Sequence, residues 1–358
     1  MKKRRIQGWI CGLCALILLG GTAVGACAAE PTAILSPDTE VSSRFLELFR
    51  EEKKNGEAPL SLIPGGGTFG IRIQTDGVLV EAVNARHLAD KIQPGDRICT
   101  VDGEKISSVS DLSRALSGKS ESVTVELSRG DRRFSLSLPF EQTDAGLKLG
   151  ISVKDTVCGI GTVSFIDPET GRFGGLGHGI SGGDGADLVP IRKADVTEVI
   201  LGGVGKGEAG SPGELHGVLK NNVIGSVRIN DECGVFGTFG TLPKELHEPM
   251  PVATREEVEA GPATILCTVK NGECAEYTVM LSEIDTSSRG TKSFTVKVTD
   301  PALIAMTGGI VRGMSGSPIL QNGKLVGAVT HVTVADPTVG FGIFLRNMLD
   351  ADKMPAAA

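Results

Sequence analysis

Gly313-Met314-Ser315-Gly316-Ser317-Pro318 sets two hydroxyls in a glycine-framed hexapeptide between two apolar runs. Glycines beside a serine allow backbone conformations closed to other residues, which can expose a hydroxyl and turn amides toward a negative oxygen. The chemistry that suits such a segment is acyl transfer. A serine would be the nucleophile, and the amides of Gly313 and Ser315 would form the oxyanion hole. A short Gly/Ser turn without chemistry has the same composition.

A serine nucleophile needs a base, and the chain holds 5 histidines. His87 falls in an N-terminal β-rich stretch, and His216 and His247 in the polar runs "GELHGV" and "KELHEP". His331 is on the strand after the serine, placed either to line a pocket or to pack in a core. His178 lies in "GGLGHGI", where glycines leave room for a substrate and for the imidazole to turn. It is the expected general base. An orienting acid must hold the imidazole tautomer from a partly buried position. Asp184, Asp187, Asp195, Asp231, Asp285 and Asp300 all follow His178. Asp300 ends the strand-like "SFTVKVTD" before Pro301, but position alone does not rank it above Asp195 or Asp231.

The elements that must position these residues are short Val/Ile/Leu runs broken by turns. Among 358 residues, 49 are glycine and only 4% are aromatic, which points to a mainly β protein of two domains. Hairpin turns are expected at Asp167–Gly171, Asn271–Gly272 and Asn322–Gly323. A two-residue loop at the second would pair Lys270 with Glu273, Val269 with Cys274 and Cys267 with Glu276. That register sets the two cysteines diagonally and disfavours a bridge. Outside the first 29 residues, Cys99, Cys158, Cys233, Cys267 and Cys274 have neither the spacing of a disulfide framework nor that of a metal site. The formal charge is −7. Because Lys2, Lys3, Arg4 and Arg5 lie at the extreme N-terminus, the body is more acidic still. No basic stripe offers to neutralise phosphates, so nucleic acid is not an expected partner.

"MKKRR" followed by an apolar run ending in small residues is a targeting segment, residues 1–29. Three fates fit it: cleavage near Ala26–Ala29, retention as an anchor over residues 6–28, or lipidation at Cys27. Each exports the body. Residues 30–63 read as a linker with a short helix near 43–54. "GGVGKGEAG" over 202–210 looks phosphate-cradling, but Gly207 follows Lys206 where a P-loop needs Ser or Thr. The acidic "GGDGADL" lacks the ligand ladder of a calcium loop. No metal and no cofactor is expected.

Residues 64–140 resemble a PDZ domain of the bacterial protease-associated type. Thr68-Phe69-Gly70-Ile71 is placed like its carboxylate-binding loop, and "QPGDRICTVDGEKI" matches its turn and strand pair. A helix at 110–117 capped by Ser110 follows where expected. The resemblance implies a groove that takes a peptide C-terminus by strand addition. A small β domain that only braces its neighbour is the plainer reading. Residues 146–350 read as the second domain. Its hexapeptide is similar to the Gly-Asp-Ser-Gly-Gly-Pro of trypsin-like double β-barrel proteases, with Met314 and Ser317 replacing Asp and Gly. In that alignment Ser315 attacks and Ser317 shapes the turn.

"GGLGHGI", "VTDP" and "GGIVRGMSGSPILQNGKLVGAVTHV" behind a PDZ-like stretch resemble the stage IV sporulation protein B peptidase family. The resemblance implies a serine endopeptidase with His178 as base, Asp300 as orienting acid and Ser315 as nucleophile. It also implies export across the forespore inner membrane into the intermembrane space and self-cleavage near the N-terminus. The implied substrate is a membrane-bound regulator of an intramembrane protease. The alternative is a non-catalytic PDZ scaffold that binds peptides at the membrane surface.

Overall fold

The computed structural model describes residues 60–143, 146–182, 187–243, 246–270 and 272–352. The targeting segment, the 43–54 helix and Asp184 lie outside them. The chain opens with β1 (Ser61–Pro64) and β2 (Thr68–Val83). It continues through β3 (Arg97–Val101), β4 (Glu104–Lys105), helix α1 (Val109–Leu116), β5 (Ser122–Arg129) and β6 (Arg132–Pro139). A small hairpin, β7 (Glu141–Thr143) and β8 (Gly146–Lys148), precedes β9 (Ile151–Ile166) and β10 (Arg172–Gly175). Then come β11 (Ile191–Gly205), β12 (Glu214–Asp231), β13 (Gly234–Phe239) and the short β14 (Met250–Pro251). The last third holds β15 (Gly261–Lys270), β16 (Glu273–Ser282), β17 (Phe294–Val298) and helix α2 (Pro301–Thr307). It ends with β18 (Pro318–Gln321), β19 (Lys324–Val332), β20 (Val339–Phe344) and helix α3 (Leu345–Ala351).

The mainly β double-barrel architecture is present. The second barrel closes in the order β15-β16-β17-β20-β19-β18. The first closes through successive antiparallel pairs: β2 with β9, β9 with β10, β10 with β13, β13 with β12, β12 with β11, and β11 back to β2. Closure removes the free edges, so alternate residues of each strand can fill a dry interior. Phe69, Ile71, Ile73, Phe173, Val196 and Val235 fill the first barrel. Ile265, Val279, Phe294, Val296, Ile319 and Val329 fill the second. A further apolar cluster draws on both: Phe165 and Phe236 meet Leu325, Ala328, Ile343 and Met348. It locks the barrels at the junction where the site lies.

The division at 140–146 expected from the sequence does not separate the cores. β2 and β9 are each 16 residues long and serve two units. Thr68–Gln74 pairs with Thr156–Thr162 inside the first barrel, whereas Leu79–Val83 pairs with Ile151–Lys154 in the PDZ unit. The PDZ unit is therefore an excursion between the first two strands of the barrel. Its own core holds Val80, Leu88, Ile98, Leu112, Val125 and Leu138. Gly77, at φ 104, marks the turning point in β2.

Local chemistry accounts for several ends and turns. The cap of helix α1 lies two residues before the expected Ser110, because the Ser108 hydroxyl accepts the Asp111 amide at 3.1 Å. β9 and β10 flank the expected Asp167–Gly171 turn, where Gly171 takes φ 68. Asn322 and Gly323, at φ 53 and 73, give the two left-handed residues that a tight hairpin requires. Lys270 pairs with Glu273 as expected, but a bulge at Val269 shifts the rest, so Thr268 faces Cys274 and Cys267 faces Ala275. Cys267 and Cys274 then point to opposite sheet faces, and both are free thiols.

Candidate active site

Ser315 sits on the loop between α2 and β18, and the main chain around it is almost fully pinned. The Arg312 carbonyl accepts from the Leu215 amide at 2.9 Å. The Gly313 carbonyl accepts from the Thr162 hydroxyl at 2.8 Å. The Met314 carbonyl accepts from the Ser317 amide at 3.0 Å and the Ser317 hydroxyl at 2.7 Å. The Ser315 carbonyl accepts from the Thr162 amide at 3.0 Å, and the Gly316 amide donates to Val329 at 2.7 Å. A trans peptide points its N–H away from its C=O. Fixing the Arg312 and Met314 carbonyls therefore aims the Gly313 and Ser315 amides the opposite way. Among the described residues neither amide has an acceptor. Two unpartnered donors flanking a serine are the elements of an oxyanion hole.

Gly313 and Gly316 both take φ 97, which an L side chain resists. A Cβ on Gly316 would also lie 2.0 Å from the Thr162 carbonyl oxygen. The two serines differ in exposure and in what their hydroxyls bond. Ser317 is completely buried and its hydroxyl is tied to its own turn. Ser315 is only half-buried, and its hydroxyl donates to the Thr330 carbonyl at 2.8 Å.

His178 follows β10 on a left-handed pair, Leu176 and Gly177, both at φ 67. A non-glycine residue in that region stores strain of about 1–3 kcal/mol. A Cβ on Gly316 would meet the Leu176 amide at 2.5 Å, and one on Gly177 would meet the Thr330 methyl at 2.9 Å. The segment bearing His178 thus lies against both the serine loop and β19. His178 Nδ1 is 2.9 Å from the Gly179 carbonyl. A carbonyl can only accept, so this bond places the proton on Nδ1 and leaves Nε2 as the base. Burial holds the imidazole below its ordinary pKa, and the Gly179 bond opposes this.

Asp300 is the N-cap of α2, accepting from Ala302 at 2.9 Å and Leu303 at 3.1 Å. Among the described residues no carboxylate bonds His178; the Gly179 carbonyl holds its ring instead. Asp195 pairs with Lys193. Asp231 lies in the β12–β13 turn, whose Glu232 carbonyl accepts the Gly179 amide at 3.2 Å, but its carboxylate accepts from Cys233. Asp285 closes a local turn with Ser287.

His331 is a neighbour the sequence left undecided. Its ring lies 5.1 Å from that of His178, tilted by 38°. Burial, with His178 and Lys292 nearby, pushes its pKa down to about 4, so it is neutral where peptidases work. Its Nδ1 is buried without a partner. Thr162 carried no sequence signal at all. Its role depends on a strand register that places "GIGT" beside Gly313, 151 positions away.

The PDZ loop expectation is overturned. Thr68, Phe69, Gly70 and Ile71 lie in β2, where Gly70 faces both Ile160 of β9 and Thr197 of β11. With both edges paired and Phe69 and Ile71 buried, no peptide strand can be added there. The strand beside helix α1 is β9, where Asp155 accepts the Val109 amide at 2.8 Å. Ile151–Lys154 of β9 pairs on one side only, with β2.

A family model described as SpoIVB peptidase S55 matches residues 145–349, and a PDZ domain model matches residues 60–128. The active form of the Rv3671c protease from M. tuberculosis is 15% identical, over 56% of this chain and 79% of that one, with TM-score 0.33. Its inactive form is 14% identical, over 54% and 82%, with TM-score 0.32. The PDZ domain of an SdrC-like protein from Listeria monocytogenes is 24% identical, over 22% and 87%, with TM-score 0.21. No curated protein matches the chain. Among the described residues no helix is long and apolar enough to cross a membrane.

Proposed function

Because the chain belongs to the SpoIVB peptidase S55 family and is a serine peptidase, we propose that Ser315 and His178 carry its hydrolysis. One observation carries the reading. Beside the serine, in a loop where most peptide groups are bonded, the amides of Gly313 and Ser315 have no acceptor among the described residues. Ser315 Oγ turns from the Thr330 carbonyl to His178 Nε2, gives up its proton and attacks the scissile carbonyl. The new oxyanion takes the two free amides. His178, now imidazolium with Nδ1–H still on the Gly179 carbonyl, returns the proton to the leaving amine. Water then repeats the cycle on the acyl-enzyme. With substrate covering the half-buried serine, the amide dipoles act at a lower dielectric than in water.

The biological assignment extends this reading: an exported endopeptidase of sporulation signalling that cleaves a membrane-bound regulator in the space between forespore and mother-cell membranes. Self-cleavage falls in the 30–63 linker. A peptide C-terminus docks in the PDZ unit on the one-sided edge of β9 beside α1. The deciding experiment treats the full chain and its Ser315→Ala variant with a serine-directed phosphonate and with a peptide from a candidate regulator's exposed region. Labelling and cleavage by wild type alone support the proposal. Cleavage by Ser315→Ala would sink it.

A further inference from the structure

The glycine-rich stretch that does not fit a P-loop, residues 202–210, runs with Ser211–Gly213 over the tip of the β11–β12 hairpin and leaves the first barrel to lie on the serine loop. The Gly207 amide donates to the Thr307 carbonyl at 2.8 Å, and the Arg312 amide donates to the Gly213 carbonyl at 2.8 Å. Leu215 and Arg312 add a further main-chain bond in a parallel bridge that begins at Glu214. On the far side the Gly210 amide donates to Val334, just beyond β19.

The approach is too close for side chains. A Cβ on Gly308 would lie 2.1 Å from the Gly207 carbonyl oxygen. One on Gly213 would lie 2.3 Å from the Gly205 carbonyl oxygen and 2.4 Å from the Gly207 amide. The Leu215 side chain, 4% exposed, enters the core of the second barrel and seats itself against Gly313.

We propose that this hairpin tip is a positioning strap for the oxyanion hole, with Gly213 and Leu215 as its working residues. The inference rests on the serine-peptidase reading and specifies how one donor is set. The Leu215 amide holds the Arg312 carbonyl, and peptide planarity then dictates where the Gly313 amide points. Gly213 lets the strap close on Arg312, and the Leu215 side chain keeps Gly313 from shifting. The first barrel thereby aims a donor carried by the second. Docking energy between the barrels is used to preorganise the site, which is where electrostatic catalysis gains most.

The test compares the full chain with Gly213→Ala, Leu215→Ala and, as control, Lys206→Ala at an exposed position of the same tip. Substrate turnover and inhibition by a peptide boronate, whose tetrahedral adduct needs the oxyanion hole, are measured together. Gly213→Ala and Leu215→Ala should each lower kcat about 10- to 100-fold at near-constant KM, somewhat less than deleting a donor outright. The boronate inhibition constant should rise by the same factor, and Lys206→Ala should match wild type. If Gly213→Ala does not fold, Leu215→Ala decides. Wild-type kcat in the folded variants overturns the strap, as does a loss of kcat with KM raised in proportion. Turnover surviving in Ser315→Ala would instead overturn the underlying peptidase reading.

Discussion

The backbone amide of Thr162 donates to the carbonyl of Ser315 at 3.0 Å. The same residue's hydroxyl donates to Gly313 at 2.8 Å, so one position on β9 of the first barrel grips the serine loop of the second twice. The Thr162 side chain is completely buried. Thr162→Val keeps shape and loses the hydroxyl. It should cost about 1–3 kcal/mol of stability by stranding the Gly313 carbonyl. It should also lower kcat about tenfold by loosening that peptide. Thr162→Ser should restore most of both, read by urea unfolding and steady-state turnover.

The two serines of the hexapeptide should separate cleanly. Ser315→Ala should abolish phosphonate labelling and turnover. Ser317→Ala should still label, while losing about 1 kcal/mol of stability as its buried hydroxyl bond to Met314 goes. Labelling lost in Ser317→Ala but kept in Ser315→Ala would reverse their roles.

Asp300→Asn distinguishes a cap from an orienting acid. Asparagine caps helices about as well as aspartate, so the α2 cap should survive and stability should change by under about 1 kcal/mol. Turnover should also stay within a fewfold of wild type, because Asp300 bonds Ala302 and Leu303 and not His178. A fall of about 10⁴ in kcat, the size expected when a triad acid is neutralised, would return Asp300 to the catalytic group.

The pH profile should carry the signature of burial at His178. A general base works when unprotonated, and desolvation lowers its pKa. The acid limb of kcat/KM should therefore fall below the ordinary imidazole value of about 6.5. His331→Ala uncovers the ring and should move that limb up toward the ordinary value. His331→Phe keeps the cover and should leave it in place. A limb unchanged in His331→Ala would show that the ring contact does not dehydrate His178.

Much of the site was legible because it is local. Gly313, Ser315, Gly316 and Ser317 lie within one turn, and their residue types already limit what the backbone can do. The glycines around His178 were informative for the same reason. The acid was not legible. "VTDP" reads equally well as a strand-end carboxylate or as an Asp-Pro helix cap, and only the coordinates of the Ala302 and Leu303 amides decide for the cap. The PDZ loop failed for a related reason. Thr68–Ile71 has the alternation of a half-buried strand, and sequence does not say which neighbours pair with it.

By itself the sequence determined the β class, the glycine-dependent turns, and the glycine-framed hexapeptide that carries Ser315 and Ser317. Each depends on dihedral freedom or polarity within a few residues. Tertiary structure decided what comes from distant segments: the closure of the first barrel through β2, and Thr162 and Leu215 gripping the serine loop. It likewise brought His331 onto His178 and left the Gly179 carbonyl in the place of an acid. Those contacts are set by strand register and barrel docking, which are sums over many weak interactions that no short motif records.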